Sequence, residues 1–193
     1  MRVPLPPNLF FSLINHGPTT LISAANGQNI SFMSAAWIMP IDMDPPQLVI
    51  SVSDSYTREL MLESGEFVVN IPTVEMIQIV YTAGITTGRS IDKFSSLGLA
   101  TRKASIVSAP IIERCVGWIE CVVLPSIWML EKFELVVADV VAAWVEDSVY
   151  HNGCFDFSSS ESGTLHHISK GKFFIANKTI EAEAHHAYSQ AIV

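Results

Sequence analysis

The sequence predicts a mainly β domain with a few helices, folded as a closed or partly closed barrel. Three observations carry this reading. Strand-like runs outnumber helical ones, they do not alternate with helices as a parallel sheet requires, and turn residues separate them at short intervals. The 193 residues suit one domain spanning 1–193, with a weakly patterned tail from about Thr179.

The elements follow in order. Thr19 to Ser23 is a β-rich run, Asn26-Gly27 is a hairpin turn signal, and Asn29 to Ile38 is the expected returning strand. The stretch Asp42-Met43-Asp44-Pro45-Pro46 reads as a loop, because consecutive prolines remove two backbone donors. Gln47 to Ser53 is a strand with Leu48, Ile50 and Val52 on one face. Thr57 to Glu63 is a short helix with Leu60, Met61 and Leu62 turned inward, stopped at Ser64-Gly65. Glu66 to Ile71 is a strand. Val74 to Ala83 has the apolar spacing of a helix with one buried face. Gly84 to Leu99 is a loop or broken helix, of a length that in a compact domain is usually functional. Cys115 to Leu124 and Phe133 to Trp144 are strands interrupted by Pro125-Ser126. Asn152 to Gly163 is loop-like, Leu165 to Ala176 carries a short aromatic strand, and Thr179 to Val193 is a small helix or a frayed end.

Composition narrows the function. The net charge is −8 and no basic cluster exceeds two residues, which argues against nucleic-acid binding. No apolar run reaches the roughly 20 residues of a membrane span, and Met1 to Pro7 lacks the apolar stretch of a signal peptide, so a cytoplasmic protein is expected. Cys115, Cys121 and Cys154 are an odd set that reads as reduced thiols. Cys115 and Cys121, six apart, share a face if their strand is regular. The adjacent pairs His166-His167 and His185-His186 do not converge on a metal. Apolar residues reach 49%, more than one small barrel readily hides, which points to a homodimer.

Several motifs stand in order: Pro18-Thr19-Thr20-Leu21-Ile22-Ser23, Asn29, Ser34-Ala35-Ala36-Trp37, Asp44-Pro45-Pro46, Tyr56-Thr57-Arg58-Glu59-Leu60 and Gly65-Glu66-Phe67-Val68-Val69-Asn70-Ile71-Pro72. This series closely resembles the flavin reductase-like family, including the flavoredoxins, and the likeness continues more loosely through Lys93, Ala109-Pro110 and Leu135 to Val141. The resemblance implies a Greek-key split barrel that dimerises and holds FMN near the subunit interface. It also implies electron transfer through that FMN, from NAD(P)H or from an electron-transfer protein.

The resemblance, joined to the local chemistry, selects the cofactor-binding set. Asn29, Ser34, Ala35, Ala36 and Trp37 are expected along the flavin, with Ser51 in the next strand. Ser53, Ser55, Thr57 and Arg58 form a hydroxyl-rich turn leading into a helix N-terminus, a form suited to phosphate, and Lys93 is expected to add a charge. His167 to Phe173 resembles a family end motif that brings Phe173 near the cofactor. Many relatives carry a Gly-Asp-His segment where this chain has Leu130-Glu131-Lys132-Phe133, so Phe133 replaces a histidine. No catalytic side chain is expected, because the cofactor carries the chemistry. The alternative is a non-catalytic FMN-binding or storage module of the same fold.

Overall fold

The computed structural model describes residues 17–182. In chain order these form β1 (Thr20–Asn26), β2 (Asn29–Ala35), β3 (Ile38–Met43), β4 (Pro46–Ser51), α1 (Tyr56–Ser64), β5 (Glu66–Ile71), α2 (Ile77–Ile85) and α3 (Lys93–Ser96). There follow β6 (Thr101–Arg102), β7 (Ile111–Ile112), β8 (Gly117–Val123), α4 (Ile127–Phe133), β9 (Leu135–Val145), β10 (Tyr150–His151), β11 (Cys154–Phe155), β12 (Thr164–Ser169) and β13 (Lys172–Ala176). The tail helix expected from Thr179 lies for the most part outside the described residues. Among those residues no helix is long and apolar enough to cross a membrane.

Seven strands make one antiparallel sheet in the order β2-β1-β5-β8-β9-β4-β3. Its two edge strands, β2 and β3, are consecutive in the chain and only Ala36 and Trp37 separate them. A link that short forces the sheet to curl until its edges lie side by side, which makes a barrel split along one corner. Alternation then sorts the side chains. Ile22, Met33, Ile50, Phe67, Val69, Cys121 and Val136 fill the inside, and Leu60 and Met61 of α1 plug it. Leu21, Phe32, Val68 and Trp118 point outward beneath α2, α3 and Leu165 of β12. Each fully buried chain of this kind contributes about 1.5–3 kcal/mol.

Local signals explain the ends of α1. The Ser55 hydroxyl accepts from the Arg58 amide at 3.2 Å, and Gly65 closes the helix at φ 72°, its amide bonded to the Met61 carbonyl. A residue with a Cβ would be strained there.

Several expectations need correction. Asn29 to Ile38 is not one strand: the chain leaves the ladder at Ala36 and Trp37, and β3 follows as a further strand. It carries Pro40, tolerated because β3 is an edge, and it turns into β4 through a cis Asp44–Pro45 peptide. Leu62 faces outward, since only Leu60 and Met61 of that trio fall on the buried side. Ile127 to Phe133 is a helix, and Leu165 to Ala176 belongs to the hairpin β12–β13, folded about Lys170-Gly171. Cys115 and Cys121 are buried free thiols but pack in different cores, because Cys115 lies before the regular strand begins.

Buried polar groups fasten the irregular segments to the barrel. The Asn70 side chain donates to the Leu21 carbonyl at 2.9 Å and accepts from the Ile112 amide at 2.7 Å. The Glu120 carboxylate, fully buried, accepts from the amides of Ser105, Ile106 and Val107, from the Ser105 hydroxyl, and from the Trp144 indole at 3.0 Å. Lys93 is buried too, its ammonium donating to the carbonyls of Phe32 at 3.1 Å and Ala83 at 2.9 Å. It thereby ties the end of α2 to the β2 edge.

Burial alone raises the Glu120 pKa, but the hydrogen bonds from Ser105, Ile106 and Val107 outweigh it and hold the value at about 2, below the ordinary 4.5. The folded chain favours the charged form, so the resulting stability is complete above pH 4.5 and drains away as pH falls toward 2. We expect Glu120→Gln to lower the unfolding free energy at neutral pH by about 2–3 kcal/mol. The gap to wild type should close in urea titrations as the pH drops through that window. For Lys93→Met, loss of two charge-assisted bonds should cost about 1.5–3 kcal/mol. An unchanged urea midpoint would show that the two carbonyl contacts contribute nothing.

Candidate functional site

Two cavities meet where the barrel is split. One, of about 390 Å³, is walled by Trp37, Met39, Val49, Ser51, Phe133 and Leu135. The other, of about 310 Å³, is walled by Ser34, Val80, Tyr81, Ile85, His167 and Phe173. Ala36 borders both. The small side chain at that position joins them into one groove along Ser34 to Trp37.

Each wall has a cause in the sequence. Ser51 ends β4 opposite Leu135 of β9, and the next amide, Val52, donates to the Glu134 carbonyl at 2.8 Å. Glu134 itself is left-handed at φ 55°, which turns the chain from α4 into β9 and leaves Phe133 half exposed at the lip. Phe133 stands edge-on to Trp128 with ring centres 5.2 Å apart. The Lys132 ammonium lies 5.2 and 5.3 Å from the two rings, an attraction of about 0.5–1 kcal/mol at an exposed site.

At the far end, the Ser34 hydroxyl donates to the Val80 carbonyl at 2.5 Å and holds β2 against α2. The β12–β13 hairpin is docked on the start of β1: the Thr19 amide donates to the Leu165 carbonyl at 2.7 Å, and the Thr19 hydroxyl accepts from the His167 amide at 2.8 Å. This sets His167 edge-on against Phe173, 5.3 Å between ring centres. Burial lowers the His167 pKa, so the imidazole is neutral at neutral pH.

Of the residues expected at a cofactor, Ser34, Ala36, Trp37, Ser51 and Phe173 line the groove. Arg58 does not line the groove but pairs with Glu134, the residue before Leu135 of its wall, with Nη1 3.8 Å from a Glu134 oxygen, and Ser53 is exposed in the turn before α1. Five others are placed elsewhere. Asn29 is exposed opposite Asn26 in the β1–β2 turn, about 20 Å along β2 from Ala35. Ala35 is packed inside the barrel. The Ser55 hydroxyl is taken up in capping α1, the buried Thr57 hydroxyl donates to that of Ser31 at 3.0 Å, and Lys93 serves two carbonyls.

Sequence reasoning missed Tyr81 and Ile85, although both continue the exposed edge of the helical run from Ile77. It also missed Arg89, which pairs with Asp54 at 3.1 Å and with Glu59. That guanidinium offsets two carboxylates that would otherwise repel an anion from the start of α1. On the opposite side of β3 and β4, an apolar hollow of about 430 Å³ is lined by Ile38, Met39, Pro40, Met43, Ile119 and Val140, with Met43 90% exposed.

The sequence pattern of the flavin reductase like domain matches residues 14–167. The uncharacterized protein YddH of Escherichia coli K12 is 34% identical over 174 residues, covering 88% of this chain and 92% of its own. Among solved structures, the FMN-binding domain of a flavin reductase-like enzyme from Shewanella baltica superposes with a TM-score of 0.82 at 27% identity, over 94% of this chain and 97% of its own. Flavoredoxin from Methanosarcina acetivorans superposes at 0.79 and 22% identity over the whole of both chains, a likeness of fold. The split barrel, the motif order and the extent of the match agree, and the chain belongs to the flavin reductase-like domain family.

Proposed function

We propose that the chain binds FMN in the groove at the split and acts as an oxidoreductase that passes electrons through it, taking them from NAD(P)H or from a protein donor. The observation that carries this reading is that Ser51, which lines the groove, ends β4 four residues before Ser55 caps α1, while Arg58 of α1 pairs with Glu134, the neighbour of Leu135 in the same wall. A flavin mononucleotide is a flat ring with one phosphate, and it needs an apolar slot and an anion site at a fixed separation. The cavity on the Trp37 side, at about 390 Å³, is of a size for small-molecule binding and takes the flavin. Trp37 and Phe133 offer ring faces, with Phe173 at the far end of the groove. The first amides of α1 have no intrahelical acceptor, and with Ser53 and Arg58 they form the proposed phosphate site.

The cofactor supplies the redox chemistry when bound, and the protein positions it and tunes its surroundings. No side-chain nucleophile is needed. The Shewanella protein is described as FMN-binding and the Methanosarcina protein as a flavoredoxin, which supports both the cofactor and the electron-transfer role. We further propose that a second copy covers the apolar hollow beside β3 and β4 in a two-fold dimer, the commonest symmetry of soluble oligomers. Met39 borders both that hollow and the groove, so the dimer would form next to the cofactor.

The purified protein should show the visible bands of bound flavin, bind FMN more tightly than FAD, and bleach when NADH, NADPH or a ferredoxin-like donor is added without air. A protein that binds FMN yet is reduced by none of these donors would be a storage module. Arg58→Ala should weaken FMN binding by about 1.5–3 kcal/mol and leave riboflavin binding nearly unchanged. Equal losses for both ligands would overturn the phosphate placement.

A further inference from the structure

The cavity at the hairpin end of the groove has a polar make-up that the flavin reading does not use. Lys170, His167 and Tyr81 all border it. Among the described residues the Lys170 ammonium, the His167 ring nitrogens and the Tyr81 hydroxyl form no hydrogen bond or ion pair. Three polar side chains without a protein hydrogen-bond partner bordering one apolar-walled hollow are the usual make-up of a small-ligand site. The hairpin tip that presents them is held closely. Gly171 adopts φ 77°, and a Cβ there would sit 3.1 Å from the Tyr81 ring, so the backbone passes close to that ring with Lys170 next to it.

Charge and shape narrow the ligand. Of the side chains lining this cavity, Lys170 alone carries a charge, because burial keeps His167 neutral and no carboxylate borders the site. A single ammonium with two neutral partners suits a monoanion. A phosphate dianion usually meets several cations or amides. About 310 Å³ encloses a one-ring molecule, and the space between the Phe173 ring and the Val80–Ile85 side of α2 favours a flat one.

We propose that this cavity binds a small planar carboxylate, its ring against Phe173 and its carboxylate on Lys170, with His167 and Tyr81 as further hydrogen-bond partners. The proposal rests on the flavin reading only for placing this ligand beside the cofactor, since the two cavities join at Ala36.

Calorimetric titration of the full chain with trans-cinnamate, its neutral amide cinnamamide, and nicotinamide mononucleotide tests it, with flavin content read from the visible spectrum of each sample. Cinnamate should bind about tenfold more tightly than cinnamamide, the worth of one charge-assisted contact. Lys170→Gln should remove that preference and leave cinnamamide binding unchanged, and Phe173→Ala should weaken both. Lys170 is exposed at a hairpin tip, and a thermal melt of the variant checks that it folds. Equal binding of acid and amide by wild type, no binding of cinnamate, or tighter binding of the mononucleotide would each overturn the proposal. Failure of the protein to take up flavin would instead overturn the flavin reading, and the cinnamate titration, which needs no flavin, would still decide this one.

Discussion

The two-residue link between β2 and β3 is the constraint on which the rest of the molecule depends. A seven-stranded sheet whose first and last members are joined by Ala36 and Trp37 has no flat solution, because its edges must meet at that link. Curling the sheet creates an inside, and the inside must be filled. The β1, β4, β5 and β9 side chains do most of this, and α1 completes it from one end. The edges are left with backbone groups outside the ladder. Trp37 meets part of that need by accepting from the Ser51 amide at 2.9 Å. The groove lies where this closure is incomplete, so the barrel and the candidate site have one origin.

The outer face poses a different problem, since it is covered by segments with little regular structure. Long irregular coverings carry many backbone donors that need partners. Three side chains of the barrel supply them, Asn70 and Glu120 buried and Glu66 partly exposed: Glu66 accepts from the amide and hydroxyl of Ser108, Asn70 from Ile112, and Glu120 from three successive amides. The family-like run Gly65 to Pro72 thus owes two of its polar residues to holding this cover in place. Lys93 has the converse role, a buried cation satisfied by carbonyls. An ammonium so placed loses hydration, which lowers its pKa, and it is retained because two carbonyl oxygens meet it.

Elements with a complete local signature could be read from the sequence. The Asn26-Gly27 turn, the helix stop at Gly65 and the strand Glu66 to Ile71 each carry their own local mark. β3 carries no such mark: Pro40 and Asp42 break its alternation, and nothing at Ala36 and Trp37 announces that the chain has crossed to the other sheet edge. α4 is seven residues long, with no side-chain cap at Ser126, too short for a helical period to stand out beside Pro125. The hairpin β12–β13 turns through Lys170 at φ 46°, a conformation that lysine seldom signals. For the site, residue type was a weaker guide than packing. Thr57 and Lys93 have the right groups for a phosphate, but Ser31, Phe32 and Ala83, brought up by folding from 10 to 61 residues away, engage them first.

The groove's walls come from two sources, and this has a consequence for its chemistry. Ser34 to Trp37 and Ser51 belong to the barrel and cannot move without disturbing its closure. Phe133 and Lys132 stand on α4, while His167, Lys170 and Phe173 stand on the β12–β13 hairpin, and both are additions packed against the sheet. Such additions can change while the scaffold stays fixed. Phe133 illustrates this. Where many relatives resembled by the sequence carry a histidine, this chain has an apolar ring, and the lip on that side has no group that gains or loses a proton near neutral pH. At the hairpin end His167 and Lys170 face the cavity. Under the flavin reading, the Phe133 side therefore serves to cover the cofactor, and the polar selection of whatever meets it falls to the hairpin.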